Sequence, residues 1–305
     1  IHATVKQEKR PPCRSLYIPD KKSLLFQVSY HNNRMNFEVF HGLTDGTGAM
    51  NFLEELVQNY LILAHPETEL PRVEHEEEIT PGDQEEDSFS QYYSSEIPRN
   101  KEKKPAAVKL KGEKLVHSDM DITEVILNVK ETLAKARSYG VSITILLTAM
   151  LLCSIQEEIP RNRQKKPVTL MIPVNLRNYF PSQSMGNFFG WIEVGYVFEE
   201  DTSFEEVLSS VKQQFQEQLQ KDRIAMNMNG YVRIEKNPFV RAVPLEIKKF
   251  FLMAGANLGS RSITAVYSNI GIIRLPEEYK EYIERFGIFA STDSLQLCSC
   301  SYGEQ

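Results

Sequence analysis

A chain of 305 residues can bury a large core, as one sizeable α/β domain or two lobes. Its 41% hydrophobic and 25% charged residues are close to globular averages and exclude global disorder. The formal charge of −6 argues against a nucleic-acid surface, because neutralising phosphates takes a clustered excess of Lys and Arg. A small-molecule or protein partner is expected instead.

The opening residues, IHATVKQEKRPP, lack the charged and apolar regions of a secretory leader. No stretch approaches the ~18 consecutive apolar residues of a membrane span. The expected compartment is therefore the cytoplasm, with a chain opening on Ile1 expected to have lost its true start. Cys13, Cys153, Cys298 and Cys300 are too few and too scattered for a disulfide framework. Cys298-Ser299-Cys300 lacks the further ligands of a structural zinc, so no metal site is expected.

In chain order, SLLFQVSY (23–30) and MNFEVFH (35–41) read as two strands joined by HNNR as a hairpin. The period of two puts Met35, Phe37, Val39 and His41 on one face, with His41 ending the second strand and aimed inward. From Gly48 the spacing turns helical, through Met50, Leu53, Leu56, Val57, Tyr60 and Leu61, until His65-Pro66 ends it. The polar stretch that follows, with HEEEITPGDQEED and RNKEKK, reads as a mobile crossover or lid rather than core.

KLKGEKLVHSDMDI (109–122) reads as one or two short strands. Asp121 or Thr123 is expected to cap a helix running to about Tyr139, with Gly140 closing it. GVSIT leads into an apolar helix, Ile145 to Glu157, buried on most sides. Strand and helix signals then alternate: VTLMIPVNL, GNFFGWIEVGYVF, a helix from about Ser203 to Lys221, another near Leu245 to Ala256, then SITAVYSNIG, GIFASTD and LQLCSCSY. This order indicates an α/β or α+β fold with mixed sheets and no internal repeat. Three segments are expected: 1–66, 67–108 and 109–305.

A histidine at a strand end, followed by a Gly-containing turn and a helix, sets an imidazole at the rim of a sheet. An imidazole there suits proton abstraction from a hydroxyl or amine near neutral pH. Asp45 lies four residues on, where helix N-cap or ion-pair partner is the more economical role and a His–Asp dyad the sharper one. Asp45-Gly46-Thr47-Gly48 is not a phosphate loop, since no Lys-Ser/Thr follows.

HGLTDG, preceded by FEVF and followed by TGAMNFLEEL, resembles the H-x-x-x-D-G signature of the acyl-CoA-dependent acyltransferases of the chloramphenicol acetyltransferase fold. That superfamily includes alcohol acetyltransferases, wax ester synthases, plant hydroxycinnamoyl-type transferases and condensation domains of peptide synthetases. GVSITILLTAMLLCSI resembles its buried helix, IPVNLR its P-V-x-x-R strand end, MGNFFGW its G-N-x-x strand start and YSNIG its S-N-x-G strand, spanning roughly Leu24 to Ser301.

The resemblance implies a two-lobed α/β sandwich with mixed sheets and an active site in a tunnel between the lobes. It implies that His41 deprotonates an alcohol or amine acceptor, which attacks the thioester of an acyl-CoA donor without a covalent acyl-enzyme. It also implies that Asp45 pairs with Arg177 to hold the histidine loop and that Gly46 serves backbone geometry rather than contact. Asn187, Ser268 and Asn269 are candidate donors to the oxyanion.

Position 40 is Phe rather than the second histidine usual in condensation domains, which favours a free-standing acyltransferase. The plant-type D-F-G-W-G motif is absent. The family carries further structure before the histidine motif and after the S-N-x-G strand, so a fragment with an incomplete N-terminal lobe is expected. Two alternatives stay open: a noncatalytic scaffold on the same fold, and a condensation-type enzyme whose donor is a carrier-protein thioester.

RNRQKK (161–166) is read against two roles, holding the phosphates of coenzyme A or lying as a solvated loop, and the loop is the simpler. Phe188, Phe189 and Trp191 are read likewise, as core before acyl pocket. His31, His65, His75 and His117 lie in turns or polar surroundings and take no role.

Overall fold

The N-terminal strands form where β-branched and aromatic residues alternate with polar ones. Phe26–His31 (β2) and Arg34–Val39 (β3) pair antiparallel from Phe26↔Val39 to His31↔Arg34, which leaves Asn32-Asn33 as the turn. Asn32 takes φ 51, a left-handed conformation that Asn tolerates better than most residues. Lys6–Gln7 (β1) adds to β2 in parallel, so this sheet is mixed. The computed structural model describes residues 4–9, 11–13, 15–18, 24–72, 86–100, 102–112, 115, 120–160, 165–244, 247–248, 255, 259–290 and 295–305.

β3 stops at Val39, short of His41. The Phe40 N–H still donates to the Leu25 carbonyl, but the Leu43 N–H then donates to the Phe40 carbonyl and closes a turn. That turn carries His41 out of the period of two, so its side chain is exposed rather than turned inward.

Helix α1, Gly46–Ala64, begins at Asp45 and ends at His65, ahead of Pro66. Its Leu61 packs with Leu70 and Tyr279 in a small cluster bordered by Val57, Leu275 and Tyr282. Residues 73–85 and 101 of the expected lid lie outside the described residues. The rest of that segment contributes to folded structure: Leu70, Ala107 and Val108 are buried, and a short helix, α2 (Ser88–Gln91), brings Phe89 against Phe188. Of 109–122, residues 113–114 and 116–119 lie outside the described residues and 109–112 form no strand.

Helix α3 is Val129–Ser138, and it starts later than Asp121 or Thr123. Asn128 is the cap, its side chain accepting from the Glu131 N–H at 3.0 Å. Val125, Ile126 and Leu127 are exposed, so a helix over them would have no core to face. Gly140 follows the helix at φ 64, the left-handed position expected of it. Helix α4, Ile143–Glu157, is capped by Ser142 and buries Leu146, Thr148, Ala149, Leu152 and Ile155. Among the described residues no single helix is long and apolar enough to cross a membrane.

The larger sheet has strand order β5-β4-β6-β7, with β4 Val168–Asn175, β5 Phe189–Tyr196, β6 Ala265–Ile272 and β7 Gln296–Ser301. β4 runs antiparallel to β5 and parallel to β6, which runs parallel to β7, so this sheet too is mixed. The expected α/β fold with mixed sheets is therefore present. β4 pairs with β6 only at Leu170↔Ala265 and Met171↔Val266, and the two strands then part. Pro173 sits beyond that point, where its missing N–H costs no bond to β6.

Helix α5, Phe204–Gln218, opens on a Ser203/Glu206 capping box. It covers the outer edge of β5 with two glutamines one turn apart. Gln214 bonds the Gly195 N–H (3.0 Å) and carbonyl (2.9 Å), and Gln218 bonds the Glu193 N–H (3.3 Å) and carbonyl (2.7 Å). Four residues of helix and two of strand advance by similar lengths, roughly 6 and 6.8 Å, so both amides fit at once. Changing both to Leu is expected to lower unfolding free energy by about 2 kcal/mol in a denaturant melt, because four edge groups lose partners.

Helix α6, Lys221–Lys236, has no counterpart among the sequence expectations. Its buried residues are Ile224, Met228, Asn229 and Val232, and the polar Asn229 interrupts the apolar stripe that would have marked it. Asn229 is satisfied, donating to the Ala225 carbonyl at 2.8 Å and accepting from the Ser94 N–H at 2.7 Å. Gly230 has open space where a Cβ would stand, so Gly230→Ala is expected to raise stability by about 0.5 to 1 kcal/mol. A five-residue helix, α7 (Pro238–Ala242), follows. Most of the helix expected near Leu245 to Ala256, residues 161–164 of RNRQKK and residues 291–294 after GIFA lie outside the described residues.

Candidate active site

The parting of β4 and β6 makes a fork, and the turn before α1 is tied into it. Asn175, the last residue of β4, donates from Nδ2 to Thr47 Oγ1 at 3.0 Å. Ile270 of β6 lies against Gly46. Thr44 Oγ1 donates to the Met185 carbonyl at 2.5 Å. Residues far apart in sequence thus fix the turn and the first residues of α1.

The strongest tie is a buried ion pair. Arg177 Nη1 donates to Asp45 Oδ2 at 2.7 Å, with the side chains 13% and 5% exposed. The guanidinium also donates through Nη2 to the Ser184 and Gly186 carbonyls, both at 2.7 Å, and through Nε to Ser184 at 3.3 Å. Asp45 accepts further from the Phe188 N–H at Oδ2 (2.8 Å) and from the Gly48 N–H at Oδ1 (3.1 Å). Such charge-assisted bonds offset the desolvation of two buried charges. Asp45 is therefore both helix N-cap and ion-pair partner, and no hydrogen bond joins it to His41.

His41 is held by Asn187, which precedes β5. Asn187 Nδ2 donates to the His41 carbonyl at 2.8 Å, and Asn187 Oδ1 lies 3.2 Å from His41 Nδ1. The Phe189 ring leans on the imidazole at 5.4 Å between centroids. Among the described residues Nε2 has no hydrogen-bond partner.

The structure brings His41, Asp45, Gly46, Arg177 and Asn187 together. Gly46 does not have a left-handed backbone, as backbone geometry would ask; a Cβ there would stand 2.8 Å from Ile270 Cδ1, the far end of a flexible side chain that can give way. Asn269 is committed elsewhere, donating to Thr144 Oγ1 and accepting from the Gly271 N–H, both at 2.9 Å. Ser268 is half-buried on β6, and neither residue hydrogen-bonds His41. Phe188 is fully buried core, while Trp191 stacks on Tyr231 at 4.7 Å.

Asn175, Thr44, Thr47 and Gly48 escaped the sequence reading. Asn175 lies inside the IPVNLR stretch, but one Asn or Thr carries no signal until its partner is known. Gly48 is the tightest position, because a Cβ would fall 2.2 Å from Thr44 Oγ1 and 2.6 Å from the Met185 carbonyl. Gly48→Ala is expected to cost about 1 to 3 kcal/mol by thermal or denaturant melting, opposite in sign to Gly230→Ala.

A mixed α/β fold in which a buried Asp–Arg pair holds a histidine turn beyond a strand end agrees with what the sequence resemblance to the acyltransferases and condensation domains of the chloramphenicol acetyltransferase kind implies. The chain belongs to the family described as phthiocerol/phthiodiolone dimycocerosyl transferase C-terminus, which matches residues 120–278. That span holds Arg177, Asn187, Ser268 and Asn269 but not the His41 turn. No curated protein matches the chain.

Among solved structures, polyketide synthase associated protein 5 from Mycobacterium tuberculosis is 15% identical, with a TM-score of 0.46 over 86% of this chain and 64% of that one. The epimerization domain from the third module of tyrocidine synthetase B is 12% identical, with a TM-score of 0.48 over 91% and 64%. F. sporotrichioides TRI101, complexed with coenzyme A and T-2, is 14% identical, with a TM-score of 0.45 over 85% and 58%. The chain thus spans less than two thirds of each of these structures. Likeness this distant carries no argument about substrate or mechanism.

Proposed function

We propose that this chain is the histidine-bearing part of an acyltransferase that moves an acyl group from a coenzyme A thioester to an alcohol or amine, with His41 as general base. The observation that carries this is an exposed imidazole fastened at one ring nitrogen to Asn187, on a turn that Asp45 and Arg177 lock to the larger sheet. Segment 1–66 supplies the base, 109–305 supplies the anchor, and 67–108 links them.

In the proposed reaction His41 takes the acceptor's proton as its oxygen or nitrogen bonds to the thioester carbonyl carbon. The tetrahedral intermediate collapses with cleavage of the C–S bond, and the imidazolium returns the proton to the departing thiolate. An ester or amide and free coenzyme A result. Ser268 and the second amide hydrogen of Asn187 are the candidate donors to the oxyanion. Asn269 is a weaker candidate, its amide being engaged with Thr144 and Gly271.

A thiol nucleophile at Cys153, Cys298 or Cys300 is disfavoured. Burial pushes the thiol pKa values of Cys153, Cys298 and Cys300 up, which keeps them protonated near neutral pH. The test is to incubate full-length protein with acyl-CoA donors and a panel of alcohols and amines while following free thiol. Acceptor-dependent release supports the reading. Transfer only from a carrier-protein thioester would change the donor, and no transfer from either donor would refute it.

A further inference from the structure

We propose that Asn187 is a positioning residue that sets the tautomer of His41, placing the ring hydrogen on Nδ1 and leaving Nε2 as the basic nitrogen. The logic runs through one amide that touches the same histidine twice. The His41 carbonyl can only accept, so the Asn187 atom 2.8 Å from it must be the NH2 group. The other end of the amide, 3.2 Å from Nδ1, is then the oxygen, which also only accepts. Nδ1 must therefore donate. In a neutral ring the lone pair is left on Nε2, which has no partner among the described residues.

The amide's own position is set in turn by the ion pair. The N–H of Phe188, the next residue, donates to Asp45 Oδ2 at 2.8 Å, the oxygen that also receives Arg177 Nη1. Asp45 thereby acts on the imidazole at one remove, through the backbone beside Asn187 rather than as a dyad partner. Phe189, on the other side of Phe188, leans on the ring and restricts its rotation. Three consecutive residues, Asn187, Phe188 and Phe189, thus orient the histidine by an amide, a backbone N–H and an aromatic face.

The consequence for rate rests on the proposed base role of His41; the tautomer itself does not. The test is long-range 1H–15N correlation of the His41 ring in full-length protein, at a pH where the ring is neutral. The wild-type spectrum is expected to show Nδ1 protonated and Nε2 unprotonated. Asn187→Leu, which removes both bonds at similar volume, is expected to shift the ring toward the Nε2–H form and to lower kcat by about 10- to 100-fold, less than loss of the base itself. Asn187→Asp keeps an acceptor for Nδ1 and is expected to retain the Nδ1–H signature. A wild-type ring protonated on Nε2, or an unchanged tautomer in folded Asn187→Leu, would overturn the proposal. A His41→Ala protein at wild-type rate would refute the base role and leave the tautomer to be judged on the spectra.

Discussion

Replacing His41 with alanine is expected to lower kcat for acyl transfer by about 100-fold or more, the scale of a lost general base, with little change in melting temperature. The two effects separate because the imidazole is exposed and contributes one weak contact to Asn187, while the backbone carbonyl that takes the shorter bond survives the substitution. Residual transfer would reflect binding and oxyanion stabilisation alone. A variant within a few-fold of wild type would remove His41 from the chemistry.

Arg177→Ala should do the opposite, costing about 3 to 5 kcal/mol of stability, because it strips a buried carboxylate of its charged partner. It also leaves the Ser184 and Gly186 carbonyls without their 2.7 Å donor, so loop and turn lose a common fastener. Asp45→Asn should be milder, since it can keep the cap on Gly48 but must aim an NH2 group at one of the donors meeting Oδ2. Arg177→Lys should not rescue, because an ammonium group cannot reproduce a planar fork engaged in several directions. Activity should fall in parallel with stability in this series. Loss of rate at unchanged melting temperature would make Asp45 a direct partner of the imidazole.

Elements with one strong period were legible in the sequence. The four strands of the larger sheet, the apolar α4 and the capped α5 all declare themselves by apolar runs or by Ser203 and Glu206. Helix α6 does not, since its buried face mixes Asn229 with Met228 and Val232 and its cap makes no side-chain bond. The period of two was carried two residues too far at His41, because a turn bond from Leu43 to Phe40 has no sequence signature of its own. The Asp45–Arg177 pair spans 132 positions and was legible only through resemblance to a family in which both ends are motifs. Asn187 was named through the resemblance, in the G-N-x-x strand start, as a candidate donor to the oxyanion. Its attachment to His41 was not, because a side chain's direction depends on packing that no local pattern encodes.

The central claim, direct transfer assisted by a histidine base, is tested most directly by intact-mass analysis of full-length protein quenched at short times during turnover with a thioester donor and an acceptor. Unmodified protein at every time point, while acylated acceptor accumulates, is the predicted result. An acyl adduct on the protein that forms and decays fast enough to carry the turnover would contradict it.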